Sequence, residues 1–178
     1  MKFYFAIFLL VLATSCADLN KSDQLKSLSI LTGNVEEVQG QISGLEDSLK
    51  VYIYKLDSLD EALKSHYSND TLSIETATSI DKMVSLKELF PALKLELNQI
   101  DSLLVVKNDV IHQLEADIVN GAGDRSKYEA YLSFEESELK LLQKNVSVLI
   151  ETIDLSIDDF NLLYPSVNDY IHSIEVKE

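Results

Sequence analysis

The groups of this sequence that could do chemistry are one thiol, three imidazoles and a twofold excess of carboxylates over basic side chains. A thiol is a nucleophile and an acyl acceptor, while imidazoles grouped with carboxylates bind metals and carry protons. Spacing decides which of these uses is open. The adjacent carboxylates Glu135-Glu136 and Asp158-Asp159 diverge by about 100° on a helix, so neither pair converges on a substrate, and both read as solvated faces. His66 and His172 fall at nearly the same height if three helices run up, down and up. However, His66 continues a buried seam, whereas His172 shares an outward class with Lys144 and Pro165, so their rings should point apart. His112 lies off the main seam. There is no glycine-rich phosphate loop, cysteine pair, HExxH or GxSxG, so no metal, no cofactor and no enzymatic activity is expected.

The thiol is Cys16, and its position is informative. Lys2 is followed by ten apolar residues, Phe3 to Leu12, then by Ala13, Thr14 and Ser15. That apolar run is too short to cross about 30 Å of hydrocarbon as a permanent helix, and it reads as a secretory signal peptide over residues 1–15. "LATSC", Leu12 to Cys16, resembles the lipobox of bacterial lipoproteins, although Leu12 stands at the fourth position before the cysteine rather than the commoner third. The resemblance covers residues 1–16 alone. It implies that the Cys16 thiol takes a diacylglyceryl group, that cleavage falls before Cys16, and that the new amino group is acylated, palmitate being a typical chain. At about 0.8 kcal/mol per buried methylene, two or three chains hold a protein on a bilayer where one would let go. It further implies a place in the bacterial cell envelope, lipid-anchored outside the cytoplasm, on the outer membrane if the cell is Gram-negative. The other reading is a free thiol with no such role. A single cysteine allows no intramolecular disulfide.

Charge narrows the partners. The full chain carries a formal −15, and loss of Lys2 would make it −16. This argues against nucleic acid and against docking on anionic lipid through charge. The acidity thickens from Glu151 to Glu178, where Glu151, Asp154, Asp158, Asp159, Asp169, Glu175 and Glu178 face only Lys177. A solvated face accounts for it, with weak binding of a divalent cation or a basic partner as the alternative.

Three stripes must position everything else. Leu28, Leu31, Val35, Val38, Ile42, Leu45, Leu49, Tyr52, Leu56, Leu59 and Leu63 step by three and four, the mark of a long helix burying one seam. Gly33, Gly40 and Gly44 lie within it, each costing about 1 kcal/mol against alanine. A second stripe, Met83 to Ile118, keeps its phase through Pro91, which predicts a kink rather than a break. Between these two stripes His66 to Ser79 is rich in Ser, Thr and Asn, with Thr78 and Asp81 spaced as a capping box. "NGAGD", Asn120 to Asp124, combines a helix stop with an N-cap. The third stripe has four apolar heptad classes, those of Leu139, Leu142, Leu141 and Ile150. They cover about half the cylinder, so this helix is expected to touch both others.

The expected fold is all-α: an elongated antiparallel three-helix bundle or coiled coil, up-down-up. A signal peptide over 1–15 and a lipid-anchored tether over 16–24 precede a bundle over 25–178, with helices at about 25–66, 78–119 kinked at Pro91, and 125–176. Two features are candidates for sites beyond Cys16. Val51 and Tyr54 lie off the first seam and either pack on the third helix or form a partner surface. Lys107 is the one charge in the middle of the second stripe, and Glu135 occupies the third. Antiparallel helices joined at 120–124 pair residues that sum to about 244, and 107 plus 135 is 242. An ion pair setting helix register is therefore predicted, with Glu36 or Glu37 as a third member. The function these readings suggest is that of a non-enzymatic envelope scaffold, spacer or adaptor that meets another envelope protein or a further copy of itself. The alternative is an extracytoplasmic module that sequesters a protein or small ligand on a side face.

Overall fold

The computed structural model describes residues 2–65 and 72–175, with side chains for 20–65 and 72–174. The chain is all-α. Helices α1 (Lys2–Ile42), α2 (Leu45–Ser65), α3 (Ile74–Asn120) and α4 (Tyr128–Glu175) follow one another, with a 3-10 turn at Arg125–Lys127. The described residues contain no strand. The long helices pack against each other as a three-helix bundle, with α1 and α2 together standing for the first helix.

The chain divides into two compact units. The first comprises Met1–Gln41 and Ser102–Lys144, and the second Ile42–Asp101 and Asn145–Glu178. In the first unit, Leu28, Leu31, Val35 and Val38 of α1 are buried together with Leu104, Ile111 and Ile118 of α3 and Leu139 of α4. The core of the second unit is built on rings. Tyr52 of α2 lies 5.7 Å from Phe90 of α3 and meets Phe160 of α4 edge-on at 5.1 Å, while Phe160 and Tyr164 are 5.3 Å apart.

The first helix does not run from 25 to 66 in one piece. It stops at Ile42 and restarts at Leu45, because Gly44 adopts φ +82°, a left-handed conformation open to glycine. The Gly44 carbonyl then accepts from Ser48 N at 3.0 Å, and Glu46 and Asp47 occupy the first turn of α2, where the helix dipole favours anions. Gly33 and Gly40 remain inside α1.

The start of α3 also differs from the expected capping box at Thr78 and Asp81. The cap is Ser73, whose Oγ accepts from Thr76 N at 3.1 Å, so the helix begins at Ile74. Thr78 is interior and donates to the Ile74 carbonyl at 2.8 Å. Helix α3 continues through Pro91, and α4 through Pro165; both prolines are exposed.

The 120–124 turn closes α3 with Gly121 at φ +63°. Gly121 N bonds the Ile118 carbonyl at 3.3 Å and Ala122 N bonds that of Asp117 at 2.9 Å, the two bonds of a Schellman stop. Asp124 then caps the 3-10 turn, accepting from Ser126 N at 3.1 Å and Ser126 Oγ at 2.6 Å. Those Ser126 bonds hold its carboxyl below the ordinary carboxylate range. The Tyr128 hydroxyl donates back to the Asp117 carbonyl at 3.0 Å, which ties the start of α4 to the end of α3.

Candidate functional site

Lys107 and Glu135 are brought together in the first unit. Lys107 Nζ donates to Glu135 Oε2 at 2.7 Å, with 18 % of the lysine side chain and 10 % of the glutamate side chain exposed. The short turn makes α3 and α4 antiparallel, and both residues occupy core-facing positions, so the two charges meet at one level of the seam. The third carboxylate is Glu138 at 3.9 Å, one turn along α4, rather than Glu36 or Glu37 of α1. Lys107 Nζ also stands 5.6 Å from the Phe134 ring centroid, a cation–π distance. This arrangement fixes register; chemically it offers a paired charge and no open coordination.

A second polar link joins α2 to α3 in the second unit. Lys87 Nζ bonds Asp60 and lies 3.3 Å from Asp57, Lys64 Nζ reaches Asp60 at 2.7 Å, and Lys94 lies 3.8 Å from Glu46. The Lys64 and Lys87 bonds hold the Asp60 carboxyl below its ordinary range, and the Asp60 bond raises Lys87. The available signal was the seven-residue step from Lys87 to Lys94, each directly after a seam leucine.

The apolar surface departs furthest from expectation. Of the four apolar classes on α4, the Leu139 class is buried at its core positions, and the Leu142 and Ile150 classes are buried or half-buried. The Leu141 class is not. In the first unit Phe134 and Leu141 are each 57 % exposed, and at the same seven-residue step in the second unit Val148, Leu155 and Leu162 are exposed. Part of the face expected to touch both other helices therefore points outward. Helix α3 adds Leu103, Val106 and Val110, exposed in the first unit at i, i+3 and i+7. Val51 and Tyr54 of α2 are exposed as well, Tyr54 at 73 %.

Cys16 falls within α1, and its side chain lies outside the described residues, as does His66. His112 is exposed beside Glu115 at 3.5 Å, and His172 is exposed on α4. Residues 20–24, expected as tether, already belong to the first unit: Lys21 Nζ donates to the Val119 carbonyl at 2.8 Å. Beside them, α1 and α4 leave an open cleft of about 610 Å³ lined by Asp23, Glu129 and Glu136, by amides and hydroxyls, and by the apolar Ile30, Leu31 and Leu132. Such a lining suits a basic or polyhydroxyl ligand. Among the described residues, no three His, Cys, Asp or Glu side chains converge as metal ligands would, and no helix is long and apolar enough to cross a membrane. Comparison with protein-family models, with curated proteins and with solved structures gave no match to this chain.

Proposed function

We propose that this protein is a non-enzymatic adaptor or scaffold of the bacterial cell envelope, anchored by lipid on Cys16 and engaging another protein through the sides of its helices. One observation carries the adaptor reading: exposed apolar rows on helices whose cores are already filled, with Phe134 and Leu141 each 57 % exposed in the first unit. Apolar side chains repeated in heptad register out of the core serve association rather than folding. The anchor rests on the sequence Leu12-Ala13-Thr14-Ser15-Cys16 behind its apolar run.

The anchor is tested by Cys16→Ser in cells supplied with labelled fatty acid. The wild type should take up label and pellet with membranes, while the variant takes up none and is released. A variant that still pellets, beside a wild type that takes up no label, refutes the anchor. A second reading, a module that sequesters a small ligand, is favoured by the carboxylate- and amide-lined cleft between α1 and α4. Saturable binding of a polyamine or an oligosaccharide, abolished by Glu129→Gln/Glu136→Gln, would support that reading over the adaptor.

A further inference from the structure

We infer that the outer groove between α3 and α4 in the first unit docks an amphipathic helix of another protein, one whose apolar stripe is flanked by lysine or arginine. This rests on the adaptor reading and names the surface and the chemistry of its partner. The groove is bounded by Leu103, Val106 and Val110 on α3 and by Tyr131, Phe134 and Leu141 on α4, all between 37 % and 57 % exposed. On α3 the three residues step by three and four and share one face. The level of the two helices is set by Lys107, which bonds Glu135 at 2.7 Å and stands over Phe134 at 5.6 Å. Counting outward from that point in antiparallel register, Val110 falls within a turn of Tyr131 and Phe134, and Leu103 within a turn of Leu141. The six side chains therefore form one patch, on the order of 500 Å² of apolar surface, a size that marks interaction sites.

Shape and charge choose the occupant. Two helices side by side leave a groove into which the ridge of a further helix packs, turning three helices into four. The charged residues beside this groove are Asp109 and Asp117 on α3 and Glu138 on α4 against Lys127 of the 3-10 turn and Lys144 on α4, with Lys107 already paired to Glu135, so the local acidic surplus is small but adds to the formal −15 of the chain. A second copy would bring a further formal −15 to the contact. It would also cover less than the roughly 800 Å² per partner that a standard interface buries. A helix with basic flanks gains attraction where a second copy meets repulsion, and the same net charge repels an anionic bilayer.

The probe is a labelled 21-residue synthetic helix with leucine at a and d and lysine at e and g, titrated by fluorescence anisotropy. The full chain is presented in phosphatidylcholine nanodiscs, with empty discs as blank. The lysine-flanked helix should bind saturably, and a copy with glutamate at e and g at least tenfold more weakly. Val106→Ser/Leu141→Ser, on exposed positions that leave the core intact, should weaken binding at least tenfold, while Val51→Ser/Tyr54→Ser leaves it unchanged. Equal binding by the groove variant, or equal binding of the glutamate-flanked helix, overturns the inference. So does sedimentation of the protein as a dimer that the groove variant dissociates, because the occupant is then a second copy. Binding lost only in Val51→Ser/Tyr54→Ser overturns the groove but leaves the adaptor reading intact, whereas no binding of either helix by any form, with retained capture of a polyamine or an oligosaccharide, overturns both.

Discussion

Removing the charges of Lys107 and Glu135 one at a time and together tests whether their pairing sets helix register. In Lys107→Met the stem packing and the contact with the Phe134 ring persist, but Glu135 is left with 10 % of its side chain exposed and without the cation 2.7 Å away. Breaking a buried pair from one side costs about 3–5 kcal/mol. Glu135→Leu is milder, because Lys107 keeps a second carboxylate, Glu138 at 3.9 Å and 45 % exposed, toward which its flexible chain can turn. We expect about 1–2 kcal/mol for that change, the scale of a partly solvated charged group that keeps a weaker partner. The double variant replaces both charges with apolar groups of similar volume and should lie within about 1 kcal/mol of wild type. The coupling energy is therefore at least about 3 kcal/mol, and the Lys107→Met single shifts the melting temperature by roughly 2–4 °C per kcal/mol for a chain of this length. Urea unfolding followed by far-ultraviolet circular dichroism measures all four corners, provided the denaturant slope stays constant. Additivity within about 0.5 kcal/mol would refute the pairing. A larger loss in Glu135→Leu than in Lys107→Met would refute the part assigned to Glu138.

Two further predictions concern the joints. The Asp60 carboxyl is held low by Lys64 and Lys87, so its stabilisation is complete above the unfolded value near pH 4 and fades as pH falls through the lower folded value. The stability gap between wild type and Asp60→Asn, read from urea midpoints at pH 7, 4 and 2.5, should narrow below about pH 4; a constant gap would show that the α2–α3 link is not what Asp60 supplies. Gly121→Ala places a methyl against the Arg125 guanidinium at φ +63°. The side chain can swing away but the backbone cannot, so a loss of about 1 kcal/mol is expected, and Arg125→Ala in the same background should not restore it.

Helix interiors were legible in the sequence because burial is periodic, and the joints were less so because they depend on one residue each. The stripe from Met83 to Ile118 is buried at nearly every step, and its constant phase across Pro91 corresponds to an unbroken α3. Lys107 and Glu135 were legible for the same reason: a charge in a seam is conspicuous, and a short turn turns sequence numbers into heights. The third member is Glu138 rather than Glu36 or Glu37, because Glu138 needs only one turn of α4 to reach the same ammonium, whereas the other two lie on another helix. Glycine spacing could not distinguish Gly44 from Gly33 and Gly40; the difference is a backbone angle at one residue. The start of α3 is hard to read because the Ser73 cap is followed at its third position by Thr76 rather than by the Glu or Gln of a capping box.

The fourth apolar class of α4 shows where counting apolar positions stops predicting burial. A helix in a three-helix bundle faces two neighbours, and two neighbours cover the core class and the classes on either side of it. Leu139, Val146, Ile153 and Phe160 fill the centre of that arc. The residues from Phe134 to Leu162 at seven-residue steps fall beyond its edge and are exposed in both units. An apolar row kept in register where folding does not need it exposes surface that water disfavours, and Leu103, Val106 and Val110 repeat this on the adjoining helix of the first unit. Three stripes account for the bundle, and among the described residues the surplus row of α4 is left uncovered, which is the observation that motivates the proposed docking helix.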